Sequence, residues 1–235
     1  MPSLSAFPIT NRWPATDPGR IQLYSVPTPN GVKVSIALEE MGLSYEPHAI
    51  SFANNETRTP EFLSLSPYGK FPAIIDPNGP GGEPLGLFES GAILLYLAEK
   101  SGKLLPAVPV RRYETINWVF FQMAAVGPMF GQVGYFFKFA GKDIPDKRPL
   151  ERYRDESKRI LAVMEQRLDG REWIMDHEYT IADISMLGWV RNLIGFYGAG
   201  EIVDYAALKN VPRWLEQALA RPAVQRGLEI PRRPA

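Results

Sequence analysis

The sequence predicts a small α/β domain followed by an all-helical domain. Three observations carry that reading. Strand, helix and strand patterns follow one another within about 30 residues near the N-terminus, the span of a βαβ unit. A hairpin pattern and another helix follow before residue 102. Beyond residue 112 every periodic stretch repeats at helical spacing. The chain has 235 residues, enough for such a pair of domains.

Residues 1–20 are proline-rich and aperiodic, which predicts an extended arm on the surface or on a partner. Residues 21–102 are read as the α/β domain. Ile21 to Val26 is a strand-compatible run. From Asn30 on, Val34, Ala37, Leu38 and Met41 share one helical face, and Gly42 follows as a C′ glycine. Tyr45 to Ile50 gives a second strand, expected parallel to the first. A weaker helix covers Glu61 to Leu65. Phe71 to Asp76 and Leu85 to Phe88 are strands joined by the turn cluster PNGPGGEP. Ser90 opens a helix that ends near Gly102.

Residues 103–112 read as a linker and 113–235 as the helical domain. Tyr113 to Met123 is strongly apolar, and Gly127-Pro128 should kink or break that helix. RPLERYRDESKRILAVMEQRL is amphipathic. TIADISMLGWVRNLIGF is apolar nearly all round, which predicts a central helix. VPRWLEQALARPAVQRGL gives a last helix broken at Pro222.

Composition excludes several function classes. Lys and Arg number 26, as do Asp and Glu, which argues against nucleic acid or an anionic membrane as the main partner. No stretch reaches the ~18 apolar residues of a membrane span, and the N-terminus lacks the regions of a signal peptide. A cytoplasmic protein is expected. There is no cysteine, which excludes thiolate metal sites and a thiol nucleophile borne by the protein. Any sulfur chemistry must arrive with a ligand. Two histidines, His48 and His177, are too few for a multi-histidine metal site, so no metal is expected.

LYSVPTPNGVKVSIALEE, PEFLSLSPYGKFPAIID, LFESGAILLYLAEK and EYTIADIS together resemble the cytosolic glutathione transferases over nearly the whole length. TPNG followed by KVSIALEE is most similar to the Nu-class branch, relatives of the fungal nitrogen-regulator prion protein. The resemblance implies a thioredoxin-like first domain, glutathione as cosubstrate and a homodimer. It further implies disulfide reduction with two bound glutathiones and poor conjugation.

In TPNG, local chemistry alone explains a strand-to-helix connection: Thr or Asn caps, proline fixes φ, glycine relieves the turn. The resemblance adds thiol activation. Lowering a thiol pKa by two units takes about 2.7 kcal/mol. A helix N-terminus contributes about 0.3–1 kcal/mol, up to ~2 when partly buried. A hydrogen bond to a charged group adds about 1.5–3 kcal/mol. Thr28 Oγ–H and the Asn30 N–H together suffice, and they are the catalytic candidates. Ser25 is a rival, and Tyr24 is read as core or cleft lining.

Phe71-Pro72 is expected to be cis by resemblance, with the Phe71 backbone pairing the cysteinyl residue of glutathione. Lys70 would hold the glycyl carboxylate. Ser90 would cap its helix and, with its N–H, bind the γ-glutamyl carboxylate, while Glu89 takes the ammonium. Related proteins carry a glutamine or histidine before P-E-F, where Asn55 or Thr57 stands here. Arg152, in ERYRDE, is either half of an i,i+4 pair with Glu156 or a glutathione contact. Thr180 and Asp183 form a capping-box pair of structural importance only. Phe130, Tyr135 and Tyr197 are candidates to line an acceptor cleft.

Three functions follow. A glutathione thiolate attacks a small disulfide and a second glutathione resolves it. Alternatively one thiolate attacks an electrophilic aromatic carbon or an ether. A third reading is a non-catalytic binding or regulatory protein with the same fold.

Overall fold

In the computed structural model, which describes residues 4–51 and 54–232, the chain divides into two units. One contains Met1–Lys103 and Pro222–Ala235, the other Leu104–Arg221.

The first unit opens with a 3₁₀ turn, Leu4–Ala6, and a short helix α1 (Ile9–Arg12). Strand β1 (Ile21–Ser25) leads to α2 (Gly31–Met41), and β2 (Tyr45–Ala49) to α3 (Pro60–Leu65). Strands β3 (Ala73–Asp76) and β4 (Leu85–Phe88) precede α4 (Ser90–Ser101). The four-stranded sheet has the order β2-β1-β3-β4. β1 pairs in parallel with β2 and antiparallel with β3, and β3 pairs antiparallel with β4. This is the thioredoxin-like mixed sheet. Every residue of β1 and β3 is buried, so both faces of the sheet are covered. Gly42 and Gly102 take left-handed conformations at the ends of α2 and α4, as their positions predict.

The predicted extended arm is different. From residue 4 it belongs to the first unit: Leu4 and Ile9 are buried with Tyr24, Phe62, Leu65 and Ile75, and Phe7 and Trp13 pack against them. The Glu46 carboxylate anchors the segment, accepting from the Thr16 hydroxyl and from the Thr16 and Asp17 N–H groups. The apolar positions 4, 7, 9 and 13 have no single period, so the pattern alone reads as irregular. Their burial depends on a gap beside α3.

The second unit is helical. Helix α5 (Pro109–Phe121) starts inside the predicted linker and runs through a π turn, Gln122–Val126, into α6 (Gly127–Phe137). The expected break at Gly127-Pro128 is therefore a widened turn: Gly127 keeps helical torsions, and Pro128 sits in the first turn of α6, where its missing N–H costs little. Then come α7 (Arg148–Arg167), the buried α8 (Ile181–Arg191) with its π extension Asn192–Phe196, and α9 (Asn210–Leu219). The predicted capping box is present, with Thr180 and Asp183 bonding reciprocally at the start of α8. After Arg221 the chain returns to the first unit as α10 (Pro222–Leu228), contrary to the expected 113–235 domain. A buried Ser35 hydroxyl donates to the Gly227 carbonyl at 2.6 Å, and Arg226 pairs with Glu39. No helix among the described residues is long and apolar enough to cross a membrane.

Candidate functional site

Sheet register brings three loops to one end of the first unit. Tyr24, Ala73 and Phe88 stand in one row, because Tyr24 pairs with Ala73 and Ala73 with Phe88. Adjacent strands lie about 4.8 Å apart. Residues 26–30 leave this row after β1, Phe71-Pro72 enters it before β3, and Glu89-Ser90 leaves it after β4. Helices α2 and α4 both begin here. Neither carries an acidic residue in its first turn, so both positive dipole ends stay uncompensated within the helices.

At the start of α2, Thr28 does the capping. Its carbonyl accepts the Val32 N–H at 2.9 Å, and its Oγ accepts the Gly31 N–H at 3.3 Å. A hydroxyl that accepts in this way keeps its proton for another acceptor. Asn30 occupies the position before the helix with helical torsions and makes no side-chain cap bond. Gly31 is demanded by space: a Cβ there would lie 1.8 Å from the Val26 carbonyl oxygen and 2.6 Å from Ser25 Oγ. Ser25 is fully buried and turns its hydroxyl to the Val26 carbonyl at 3.4 Å. Thr28 is half-buried, and of the two hydroxyls it is the accessible one. Tyr24 is fully buried, stacked on His48 with centroids 4.7 Å apart, and burial raises its phenol pKa.

The Phe71-Pro72 bond is cis. Phe71 packs on the core cluster, and Lys70 is exposed with Nζ 5.5 Å from the Tyr68 ring centroid. The Ser66 hydroxyl donates to the Lys70 carbonyl at 2.6 Å, which fixes this loop. Thr57 lies beside it: a Cβ on Gly69 would meet the Thr57 carbonyl oxygen at 2.8 Å. Asn55 is left-handed and exposed.

At α4 the cap is Glu89, not Ser90. The Glu89 carbonyl accepts the Ile93 N–H, and its backbone has φ 72° and ψ 110°. Positive φ is unusual for such a residue and is held by its surroundings. Ser90 is the first helical residue, 5% exposed, and its Oγ receives a hydrogen bond from Lys33 Nζ at 3.2 Å. Lys33 is 1% exposed. Burial holds its ammonium pKa well below the usual lysine value, and the charge of Glu89 partly opposes that. The sequence reading missed Lys33. The available signal was a lysine amid VKVSI, flanked by residues of the buried face.

In the second unit, Arg152 is exposed on α7; Glu156 hydrogen-bonds Arg159, and the charge of Arg152 also acts on it. Phe130 is fully buried in α6, as are Val133 of that helix and Val126 of the preceding π turn, so it lines no surface. Tyr135 is 45% exposed. Tyr197 is half-buried against Gly134 and meets Phe139 edge-on at 5.9 Å. No cluster of metal-ligating side chains occurs among the described residues.

A family model described as glutathione S-transferase, N-terminal domain, matches residues 19–99, and its C-terminal counterpart matches 128–222. The chain is 41% identical to the disulfide-bond oxidoreductase YfcG of Escherichia coli K12, over 88% of this chain and 94% of that one. It is similar to a glutathione transferase structure from Burkholderia graminis with two glutathione molecules bound per subunit. That match has 63% identity and a TM-score of 0.98, covering 100% of this chain and 98% of that one. A glutathione transferase structure from Pseudomonas putida, with one glutathione disulfide per subunit, matches at 60% identity and TM-score 0.96. It covers 97% of this chain and 99% of that one.

Proposed function

We propose, since the chain belongs to the glutathione S-transferase family, that it is a glutathione-dependent disulfide reductase. The observation that carries this is the pair of helix N-termini at one sheet end, in a chain with no cysteine thiol of its own. Two glutathiones supply the chemistry. One thiolate attacks a sulfur of the substrate disulfide and expels the other as a thiolate. The second glutathione thiolate attacks the resulting mixed disulfide and expels the remaining substrate thiolate. Two glutathiones become glutathione disulfide, one substrate disulfide becomes two thiols, and two protons move from glutathione to the products.

Thr28 Oγ–H and the Asn30 N–H donate to the attacking thiolate. Their half-buried position at a helix start favours an anion. The Phe71 backbone pairs the cysteinyl residue, Lys70 takes the glycyl carboxylate, and Ser90 with Glu89 takes the γ-glutamyl end. The similarity to proteins binding two glutathiones or their disulfide supports the stoichiometry.

A homodimer is supported by α5, where Val110, Tyr113 and Phe120 lie along one face, each more than half exposed. A cytoplasmic setting fits, because the reaction needs reduced glutathione. The test is calorimetric titration with glutathione beside turnover of hydroxyethyl disulfide and chlorodinitrobenzene. Two glutathiones per site with faster disulfide turnover support the reading. One glutathione with faster conjugation replaces it with a transferase, and no binding replaces it with a scaffold.

A further inference from the structure

Helix α2 carries the thiol-binding loop at its mouth, and one of its flanks is covered by the last helix of the chain. Residues 31–38 and Met41 are all buried. On that flank α10 rests directly on backbone. A Cβ on Gly227 would stand 2.6 Å from Ile36 Cα, 2.7 Å from its nitrogen and 2.8 Å from its Cγ1. Non-bonded carbons settle at about 3.5–4.0 Å. The Ser35 hydroxyl donates to the Gly227 carbonyl at 2.6 Å, and Arg226 bonds Glu39, one turn further along α2. Ser35 and Ile36 are both fully buried. The match to the C-terminal family model stops at residue 222, where α10 begins, and α10 belongs to the first unit.

We propose that Gly227 is a positioning residue: through it α10 fixes the axis of α2, and so the distance and angle at which the mouth of α2 meets the bound thiolate. This rests on reading Thr28 Oγ–H and the Asn30 N–H as the donors to that thiolate. Helix α2 is held at two backbone seats. Gly31 lies against the Val26 carbonyl at the end of β1, and Ile36 lies against Gly227. The two seats are five positions apart, about 7.5 Å along the helix. A hydrogen-bonded helix moves as a rod, so a displacement at the second seat turns α2 about the first. That turn carries residues 28–32 with it. A charge-assisted hydrogen bond is short and directional, so the thiolate loses stabilisation when its donors swing away.

The glycine is there for approach, not for a turn. Gly227 is absent from the left-handed glycines, so its torsions do not require it. Glycine inside a helix is less favourable than alanine, unless backbone must come close to backbone. The Arg226–Glu39 pair leaves the arginine side chain 57% exposed and contributes little by itself. The buried Ser35 bond and the glycine seat therefore set the register of α10 on α2. Lys70, Phe71 and Ser90, read as the contacts to the rest of the tripeptide, stand on the loops before β3 and α4. Gly227 thus acts on ionisation of the sulfur and leaves tripeptide binding in place.

The experiment follows the ultraviolet absorbance of bound glutathione thiolate against pH, beside hydroxyethyl disulfide turnover, in wild type, Gly227→Ala and Glu46→Gln. In the wild type the bound thiol is expected to ionise below its ordinary value of about 8.5. Gly227→Ala is expected to raise the bound value by about one unit. Turnover should then fall about ten-fold at pH below both values and recover as pH passes the new one, because exchange follows the thiolate fraction. S-methylglutathione, which has no ionisable thiol, should bind wild type and Gly227→Ala alike. Glu46→Gln loosens the same unit away from α2 and should keep the wild-type profile. An unmoved profile in Gly227→Ala overturns the proposal and leaves the thiolate site standing. An equal shift in Glu46→Gln, or lost S-methylglutathione binding in Gly227→Ala, also overturns it, since α10 then only supports the unit. A wild type whose bound thiol titrates like free glutathione overturns the reading of Thr28 as well. Should Gly227→Ala not fold, Ser35→Ala decides, because it removes the bond and adds no atom: a shift of the same sign supports the proposal, and an unmoved profile overturns it.

Discussion

Residue 31 faces the Val26 carbonyl so closely that a Cβ would stand 1.8 Å from its oxygen. The first turn of α2 therefore passes directly over the end of β1. The glycine of TPNG serves this approach, and it brings the Thr28 hydroxyl to the helix mouth.

Gly31→Ala should damage both fold and activity. The obstructing atom is backbone and cannot rotate aside, so the cost should reach or exceed the about 1–3 kcal/mol typical of overpacking. Denaturant unfolding and glutathione titration would report it. An alanine variant of native stability and affinity would show that the loop relaxes freely.

Thr28→Ala should lower disulfide turnover at least about ten-fold, as expected for a lost charge-assisted hydrogen bond. Its stability loss should stay near about 1 kcal/mol, because it removes one cap acceptor. Asn30→Ala should change turnover little, since its side chain makes no cap bond and its N–H survives the substitution. Thiolate absorbance of bound glutathione near neutral pH should fall in the first variant and persist in the second. Equal turnover in wild type and Thr28→Ala would reduce Thr28 to a cap.

The Glu46 anchor predicts an acid response. Partial burial raises its carboxyl, but hydrogen bonds from the Thr16 hydroxyl and the Asp17 and Thr16 N–H groups bring it from 4.5 down to about 2. A depressed folded value stabilises the fold fully above the unfolded value, and that contribution disappears as pH falls through about 2. The stability difference between wild type and Glu46→Gln should be constant above about pH 4.5 and shrink below it. A difference independent of pH would assign the anchor to packing of Leu4, Ile9 and Trp13 alone.

In the helical unit, Asp183 accepts from the Ile174 N–H at 2.9 Å, the Thr180 N–H at 3.0 Å and the Trp214 indole at 2.9 Å. The Thr180 hydroxyl donates to it as well, at 3.3 Å, so Asp183→Ala leaves four buried donors without this acceptor. At about 1–3 kcal/mol each, it should cost about 3 kcal/mol or more, seen as a lowered thermal midpoint. Any glutathione affinity of the molecules still folded should be unchanged, because the capping box has no ligand role.

Much of the fold was legible in the residues. The strand and helix runs from Ile21 to Gly102 lie within a residue or two of their predicted bounds, because alternation, helical spacing and C′ glycines are local signals. Cap identity at α4 was less legible. Ser90 has the chemistry of a cap, yet Glu89 takes that place through its backbone, which no side-chain preference announces. Phe130 misled for a related reason: its neighbours have poor periodicity, and a π turn before α6 shifts which face looks inward.

The order of residues was enough to predict a thioredoxin-like sheet followed by helices, and composition alone excludes a cysteine thiol. These depend on neighbours a few positions apart or on composition. Only folding decided that residues 4–13 pack on the first unit, that α10 returns to it, and that Lys33 meets Ser90 across 57 positions. Such pairings arise where register and helix packing bring distant segments together, and burial then shifts protonation in a direction that no single segment announces.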